Sequence, residues 1–250
     1  MLAHGFSDDG LCWGPLAEAL APDHDVVMVD ARGHGLSEAP AQGYGPAEQA
    51  ADLAAVIAAL GLRQPAILGH SMGAATTLVL AGTFPDVPGA ILLEDPPARW
   101  IPPPPPPPGG EPDRWAGMRN WITDLKAKTR EEMLAEQRTQ TPHWTEEELG
   151  PWADAKLRFS LNAINREGTA PVDWPVTLRR ITCPALLITG DPARGGIITE
   201  ESAAALRDLV PQLQVAHIAD AGHSIRRDQF DRYLEVVRSF LRTAAGARLA

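Results

Sequence analysis

The sequence predicts an α/β fold in which a mostly parallel sheet carries helices on both faces. Short β-like runs alternate with helical stretches along the chain. Four of these runs are almost continuously apolar, which is typical of parallel strands that are buried on both sides. Together the two observations favour strands that are joined by right-handed crossovers through helices.

The predicted strands cover residues 25–30, 65–70, 89–95, 184–190 and 213–220. An alanine-rich helix is predicted over 47–61, where Gly61 is suited to end it. A second long helix is predicted over 228–241, after the last strand.

The alternation breaks between Asp95 and Cys183. A run of seven prolines predicts an extended connector in this part of the chain. The helical segments predicted after it cover 113–127, 130–139 and 145–165. We therefore expect residues 1–95 and 184–250 to form one core, and residues 96–183 to form a helical cap with a proline-rich connector.

Six of the seven tryptophans fall in the predicted cap. Some of them are expected to be ordinary packing residues, but their density also favours an aromatic cover over a ligand pocket. The candidates for substrate binding are Trp100, Trp115, Trp121 and Trp144.

Composition disfavours several classes of function. The 250 residues, of which 44% are hydrophobic and 22% charged, are typical of a globular protein, and the net charge of −10 disfavours binding to nucleic acid. No apolar run approaches the roughly 20 residues that a membrane helix requires, and the first residues do not resemble a signal peptide. Cys12 and Cys183 indicate neither a disulfide framework nor a metal site. We expect a cytoplasmic protein without a cofactor, and the oligomeric state stays open.

The strongest chemical motif is Gly69-His70-Ser71-Met72-Gly73, a G-x-S-x-G pattern between a predicted strand and a helical run. Its glycines permit a tight turn that lifts the Ser71 hydroxyl clear of the sheet. The following helix directs its free N–H groups to the same place, so that the Met72 N–H can stabilise an oxyanion. The motif predicts Ser71 as a nucleophile.

A serine nucleophile needs a base, and seven histidines are available. His223 lies in a loop between the last predicted strand and the last helix, which matches the chain order of serine, acid and histidine. His217 lies inside a strand-like run and is expected to be packed, whereas His143 lies in the predicted cap. We therefore predict His223 as the base.

Four motifs in this order resemble those of the α/β-hydrolase superfamily. His4-Gly5-Phe6 looks like its oxyanion loop H-G-x, and "VDARGHGLSEAP" (29–40) is similar to its D-x-R-G-H-G-x-S turn. "LGHSMGAA" (68–75) looks like its nucleophile elbow, and "AGHSIRRDQF" (221–230) looks like its catalytic-histidine loop.

The resemblance covers nearly the whole chain and implies an α/β-hydrolase fold with a helical cap inserted after the sixth strand of the family's usual count. It also implies that the Phe6 N–H is the second oxyanion donor, and that the turn at 32–37 is structural. Members normally carry two or more strands before the H-G-x loop, whereas this chain begins three residues before His4. We therefore expect missing N-terminal strands, with an exposed sheet edge and reduced stability, or a start codon further upstream.

Two residues compete for the role of the triad acid. In the family's usual pattern the acid follows the next strand as G-x-x-D, a slot that holds Ala193 here, and Asp191 arrives too early for it. Asp95 ends the strand before the cap, which resembles the acid position of some haloalkane dehalogenases and zearalenone-type lactonases. Glu94 is expected to face the other way, because side chains alternate along a strand. The choice between Asp95 and Asp191 stays open at this point.

These features predict a serine hydrolase that cleaves a carboxylic ester or lactone of a hydrophobic small molecule through an acyl-enzyme on Ser71. Three alternatives retain the same residues: a C–C bond hydrolase, a cofactor-free haloperoxidase, and a ligand receptor that works by movement of the cap. The motifs alone do not separate them.

Overall fold

A computed structural model describes residues 1–102, 114–165 and 167–246, without the side chains of residues 114, 115 and 246. Within these ranges six strands form one parallel sheet in the spatial order β2-β1-β3-β4-β5-β6. The strands are β1 (Leu2–Ala3), β2 (Met28–Val29), β3 (Ala66–His70), β4 (Ala90–Glu94), β5 (Ala185–Thr189) and β6 (Leu213–His217). The proline run beyond Pro102 lies outside the described residues.

Helices connect these strands on both faces of the sheet. Those described are α1 (Gly14–Leu20), α2 (Pro46–Ala59), α3 (Met72–Thr83), α4 (Arg114–Lys126), α5 (Arg130–Gln140), α6 (Glu146–Arg158), α7 (Trp174–Leu178), α8 (Glu200–Leu209), α9 (Ile225–Asp228) and α10 (Phe230–Gly246). Gly61 follows α2 with φ +63°, the left-handed conformation that favours glycine after a helix.

The three central strands supply the core on both faces because their side chains alternate. Leu92 packs with the buried side chains of α1 and α10 on one face. Leu93 and Leu187 pack with those of α3 and α8 on the other. Each such fully buried leucine contributes roughly 1.5–3 kcal/mol through burial, so the centre of the sheet is a rigid support for residues at its carboxyl ends.

The strands at the start of the chain are short. β1 has two residues and lies between β2 and β3, and β2 forms the edge of the described sheet, where Met28 is partly exposed. Leu2 and Ala3 are nevertheless buried. The reduced stability expected from the sequence stays a prediction.

The helices inserted between β4 and β5 have an apolar cluster of their own. Ile122 of α4, Met133 of α5 and Leu149 of α6 pack together, and Tyr44 from the core joins them. The predicted helix over 145–165 is too long, because α6 ends at Arg158. The ammonium group of Lys126 donates to the carbonyl oxygens of Leu157 (2.8 Å) and Phe159 (2.7 Å), and so satisfies groups that a longer helix would bond internally.

Candidate active site

Ser71 lies in the tight turn between β3 and α3. Its backbone is in an unusual conformation, φ +51° and ψ −109°, which few residues other than glycine adopt. Its N–H donates to the carbonyl oxygen of Glu94 at 2.8 Å, which ties the turn to the end of β4. A Cβ at Gly73 would lie 2.2 Å from the carbonyl oxygen of Ala3, so only glycine fits there. The local geometry is that of a nucleophile elbow.

The H-G-x loop directly follows β1 and packs against this turn. His4 is buried, its Nε2 accepts the N–H of Ala31 at 3.0 Å, and Nδ1 therefore donates to the carbonyl oxygen of Gly5 at 2.8 Å. A Cβ at Gly5 would lie 2.5 Å from Nδ1 of His70, the residue before Ser71. The backbone just before Phe6, one predicted oxyanion donor, thus packs closely against the residue that precedes Ser71.

His223 and Asp95 form a hydrogen-bonded pair. Nδ1 of His223 lies 2.6 Å from Oδ2 of Asp95, whose side chain is fully buried. The same carboxylate accepts the backbone N–H groups of Ile197 (2.8 Å) and Ile198 (3.0 Å). Three donors therefore hold Asp95 in one orientation, and this carboxylate can stabilise a positive charge on the His223 ring.

His70 joins this pair to the turn that carries Ser71. Its ring lies beside that of His223, with 4.7 Å between the ring centroids, and its Nε2–H donates to the carbonyl oxygen of His223 at 3.0 Å. Burial, and secondarily the nearby His223, hold the pKa of His70 well below its usual value. A neutral His70 does not repel a protonated His223.

Asp191 is engaged elsewhere. Its Oδ1 lies 3.0 Å from Nε2 of His217, and its Oδ2 accepts the backbone N–H of Asp220 at 2.7 Å. The expectation that His217 is packed is wrong, because half of its side chain is exposed at the end of β6, where Asp191 and Thr189 hold it. Of the two carboxylates proposed from the sequence, the structure brings Asp95 to His223.

Glu94 faces away from Asp95, as the alternation along β4 predicted. Its carboxylate accepts the backbone N–H of Arg226 at 3.0 Å and the hydroxyl of Tyr233 at 3.1 Å. Complete burial raises the pKa of Glu94, although Arg226 opposes this shift. Adjacent carboxylates at the end of β4 thus hold His223 and the segment that follows it.

Membership of a known family follows from comparison with known proteins. A model of the α/β hydrolase fold matches residues 1–226. The chain belongs to the α/β-hydrolase family. The fold predicted from the four motifs is therefore confirmed, and the chain is an α/β-fold hydrolase enzyme.

Individual relatives of this α/β hydrolase are named as hydrolytic enzymes. It is 32% identical over 247 residues to the N-formylmaleamate deformylase of Pseudomonas putida (strain KT2440), an alignment that covers 96% of this chain and 87% of that protein. It is 28% identical over 249 residues to esterase YbfF of Escherichia coli (strain K12), with 96% and 92% covered. The solved structure of the N-formylmaleamic acid deformylase from Pseudomonas putida S16 matches with a TM-score of 0.76 and 27% identity, over 94% of this chain and 90% of that one.

Four tryptophans were proposed for substrate binding, and the three whose side chains the structure describes lie in different surroundings in this α/β hydrolase. Trp100 is buried in the core, where its indole N–H donates to the carbonyl oxygen of Ser202 at 2.8 Å. Trp121 is partly exposed, and the indole N–H of Trp144 donates to Asp228 at 3.1 Å. The side chain of Trp115 lies outside the described residues. The side chains of Trp100 and Trp144 are therefore bound to other parts of the protein. Their contacts do not support the predicted role in substrate binding.

A buried cluster of charged residues lies next to the H-G-x loop, and the sequence analysis missed it. The carboxylate of Asp8 pairs with Lys156 of α6 at 2.7 Å and with Arg227 at 3.1 Å, and Arg227 also pairs with Glu148 at 2.9 Å. Although burial opposes it, the adjacent Arg227, Lys156 and Arg226 keep the pKa of Asp8 well below its usual value. The acidic pair after Phe6 and the basic pair Arg226-Arg227 after His223 were the available sequence signals.

No group of three or more histidine, cysteine, aspartate or glutamate side chains is placed to hold a metal ion in the described part of the chain. Across the same ranges, none of the helices combines the length and apolar character that crossing a membrane requires.

Three buried histidines lie around the site. Burial lowers the pKa of His4 and that of His70, and lowers the pKa of His34 to about 3. These rings are therefore neutral in the folded protein at pH values where exposed histidines, with a pKa near 6.5, begin to bind protons. The unfolded chain binds more protons than the folded protein in this range, so folding is disfavoured by acid.

We expect the free energy of unfolding to fall by on the order of 2 kcal/mol between pH 6 and pH 5. Each histidine contributes up to about 1.4 kcal/mol per pH unit, and Glu94, whose pKa is raised, acts in the opposite direction above about pH 4.5. Urea unfolding at both pH values measures the change, and His34→Gln should reduce it. A denaturation midpoint that does not depend on pH in this interval would contradict the prediction.

Proposed function

We propose that this chain is a serine hydrolase in which Ser71 is the nucleophile, His223 the base and Asp95 the acid. The observation that carries the proposal is the 2.6 Å contact between His223 and the buried carboxylate of Asp95, beside the turn that presents Ser71. A hydroxyl becomes a useful nucleophile at neutral pH only when such a base accepts its proton.

In the proposed reaction Ser71 Oγ attacks the substrate carbonyl carbon while its proton passes to Nε2 of His223. The N–H groups of Phe6 and Met72 stabilise the negative oxygen of the tetrahedral intermediate. Asp95 stabilises the imidazolium, which then protonates the leaving alcohol as the acyl-enzyme forms. Water, activated by His223, attacks the acyl-enzyme and releases the acid and free Ser71. The nucleophile, base and acid all come from this chain.

The substrate class that we propose is a carboxylic ester or lactone, in keeping with a relative that is named an esterase. A second candidate is an N-formyl amide of a small acid, because both a relative and a matching structure are named as deformylases of such a compound. The two reactions share every step, except that in the second Ser71 carries a formyl group and His223 protonates a leaving carboxamide instead of an alcohol.

Labelling and turnover test the proposal. A fluorophosphonate probe should modify the intact protein at Ser71, as located by mass spectrometry of its peptides, and Ser71→Ala should remain unlabelled. A panel of aryl esters, lactones and N-formyl amides then identifies the substrate class, with release of formate as the measure for the last group. Inertness toward the whole panel, together with absence of labelling, would remove the proposal. Labelling followed by a single turnover would favour a ligand receptor instead.

A further inference from the structure

Asp228 connects the inserted helices to the loop that carries His223. One carboxylate oxygen, Oδ1, accepts from two residues of the connection between α5 and α6: Nε2 of His143 at 2.8 Å and the indole N–H of Trp144 at 3.1 Å. The other oxygen, Oδ2, accepts the backbone N–H of Gly222 at 2.7 Å. Gly222 directly precedes His223, so a single side chain joins both parts.

Arg227 makes a second connection at the same place. Its guanidinium group lies over the Trp144 ring, 4.7 Å from the centroid, and its Nε donates to Glu148 of α6 at 2.9 Å. Cation–aromatic contacts and buried ion pairs of this kind fix orientation as well as distance. The residues that follow His223 are therefore held by the same connection and by α6.

The surroundings favour a defined position for Asp228. Its side chain is largely buried, whereas that of His143 is half exposed. A Cβ at Gly222 would lie 2.5 Å from the carbonyl oxygen of Arg194, so the backbone in front of His223 has little freedom to move toward that side. The hydrogen bond from the Gly222 N–H to Asp228 restrains the same backbone further.

The geometry points to Asp228 as a positioning residue that holds His223 in its reactive place when the inserted helices are docked. This inference rests on the proposed role of His223 in hydrolysis. Displacement of a catalytic group by about 1 Å can cost on the order of 100-fold in rate. If the helices move away, Oδ1 of Asp228 loses both of its donors, His143 and Trp144. The carboxylate is then free to turn away from Gly222, so that movement of the helices changes the position of the base.

Two variants test this coupling. Asp228→Ala removes all three hydrogen bonds of this carboxylate, whereas Trp144→Phe removes one donor and keeps an aromatic ring under Arg227. We expect Asp228→Ala to lower both kcat on an aryl ester and the rate of Ser71 labelling by a small fluorophosphonate by about 10- to 100-fold, and Trp144→Phe to lower both by a smaller factor. Arg138→Gln is the matched control, because it breaks an exposed ion pair with Glu146 near the same connection.

The labelling rate distinguishes a residue that positions His223 from one that contacts the substrate. A small phosphonate reacts with Ser71 with the help of His223 but makes no contact with the inserted helices. A rise in KM with unchanged labelling and kcat would overturn the inference, as would wild-type rates in both variants. If Asp228→Ala does not fold, Trp144→Phe alone decides. If the wild-type protein is labelled at Ser71 and both variants keep wild-type rates, only the role of Asp228 is contradicted. If the wild-type protein is not labelled, the proposed hydrolysis is contradicted as well.

Discussion

Asp95→Asn is expected to lower kcat by about 10³–10⁴-fold, because it replaces the carboxylate that stabilises the protonated base in the proposed mechanism. The amide cannot balance the charge on His223, and its NH₂ group would face one of the donors that now surround this position, at Ile197, Ile198 and His223. Hydrolysis of an aryl ester measures kcat, and a thermal melt shows whether the variant is folded.

Asp191→Asn is the matched control for this substitution. Asp191 has a histidine partner of its own, His217, at the exposed end of β6. We expect its amide variant to keep kcat within about twofold of the wild-type value, in line with most substitutions outside a site. A large loss in Asp191→Asn with little loss in Asp95→Asn would show that the assignment of the acid is reversed.

Asp8→Asn is expected to lower the free energy of unfolding by about 3–5 kcal/mol, the usual cost of removing one partner from a buried ion pair. Without this carboxylate, Lys156 and Arg227 keep buried positive charges that Glu148 alone does not balance. Chemical denaturation measures the loss. Because Asp8 lies two residues after Phe6, the variant should also hydrolyse esters more slowly.

Two further variants check that charge causes this loss. Lys156→Met in the Asp8→Asn background removes one of the unpaired cations and should recover part of the stability. Glu146→Gln breaks an exposed ion pair with Arg138 and should leave the denaturation midpoint unchanged. Equal effects of Asp8→Asn and Glu146→Gln would contradict the importance of the buried cluster.

The central strands could be predicted to within one residue at each end, because β3, β4 and β5 are largely buried and carry no polar side chain before their last residue. At the edges of the sheet the prediction was too long. β2 is reduced to Met28–Val29, and β6 ends at His217, before the left-handed residue Asp220. The end of an edge strand depends on which residues of the neighbouring strand it pairs with. This pairing cannot be read from a single sequence.

The residues of the candidate active site also differ in how far neighbouring sequence could predict them. Ser71 and His223 each lie in a local motif, so neighbouring residues were enough to propose them. The partner of His223 depends on how the loop after β5 turns, since Ile197 and Ile198 direct their N–H groups to Asp95 across a separation of about one hundred residues. The charges around Asp8 likewise come from distant parts of the chain, at Lys156 and Arg227.

The placement of Asp95 at the end of β4 bears on how this enzyme could be diversified. Asp95 precedes the inserted helices, and the groups that hold its carboxylate, on Ile197, Ile198 and His223, follow them, so helices taken from another family member could be grafted between β4 and β5 without moving the acid. The graft would have to supply replacements for Lys156 and Glu148, however, because their partners Asp8 and Arg227 stay behind in the host. Exchange of the inserted helices in this scaffold is thus constrained by charge compatibility more than by chain length.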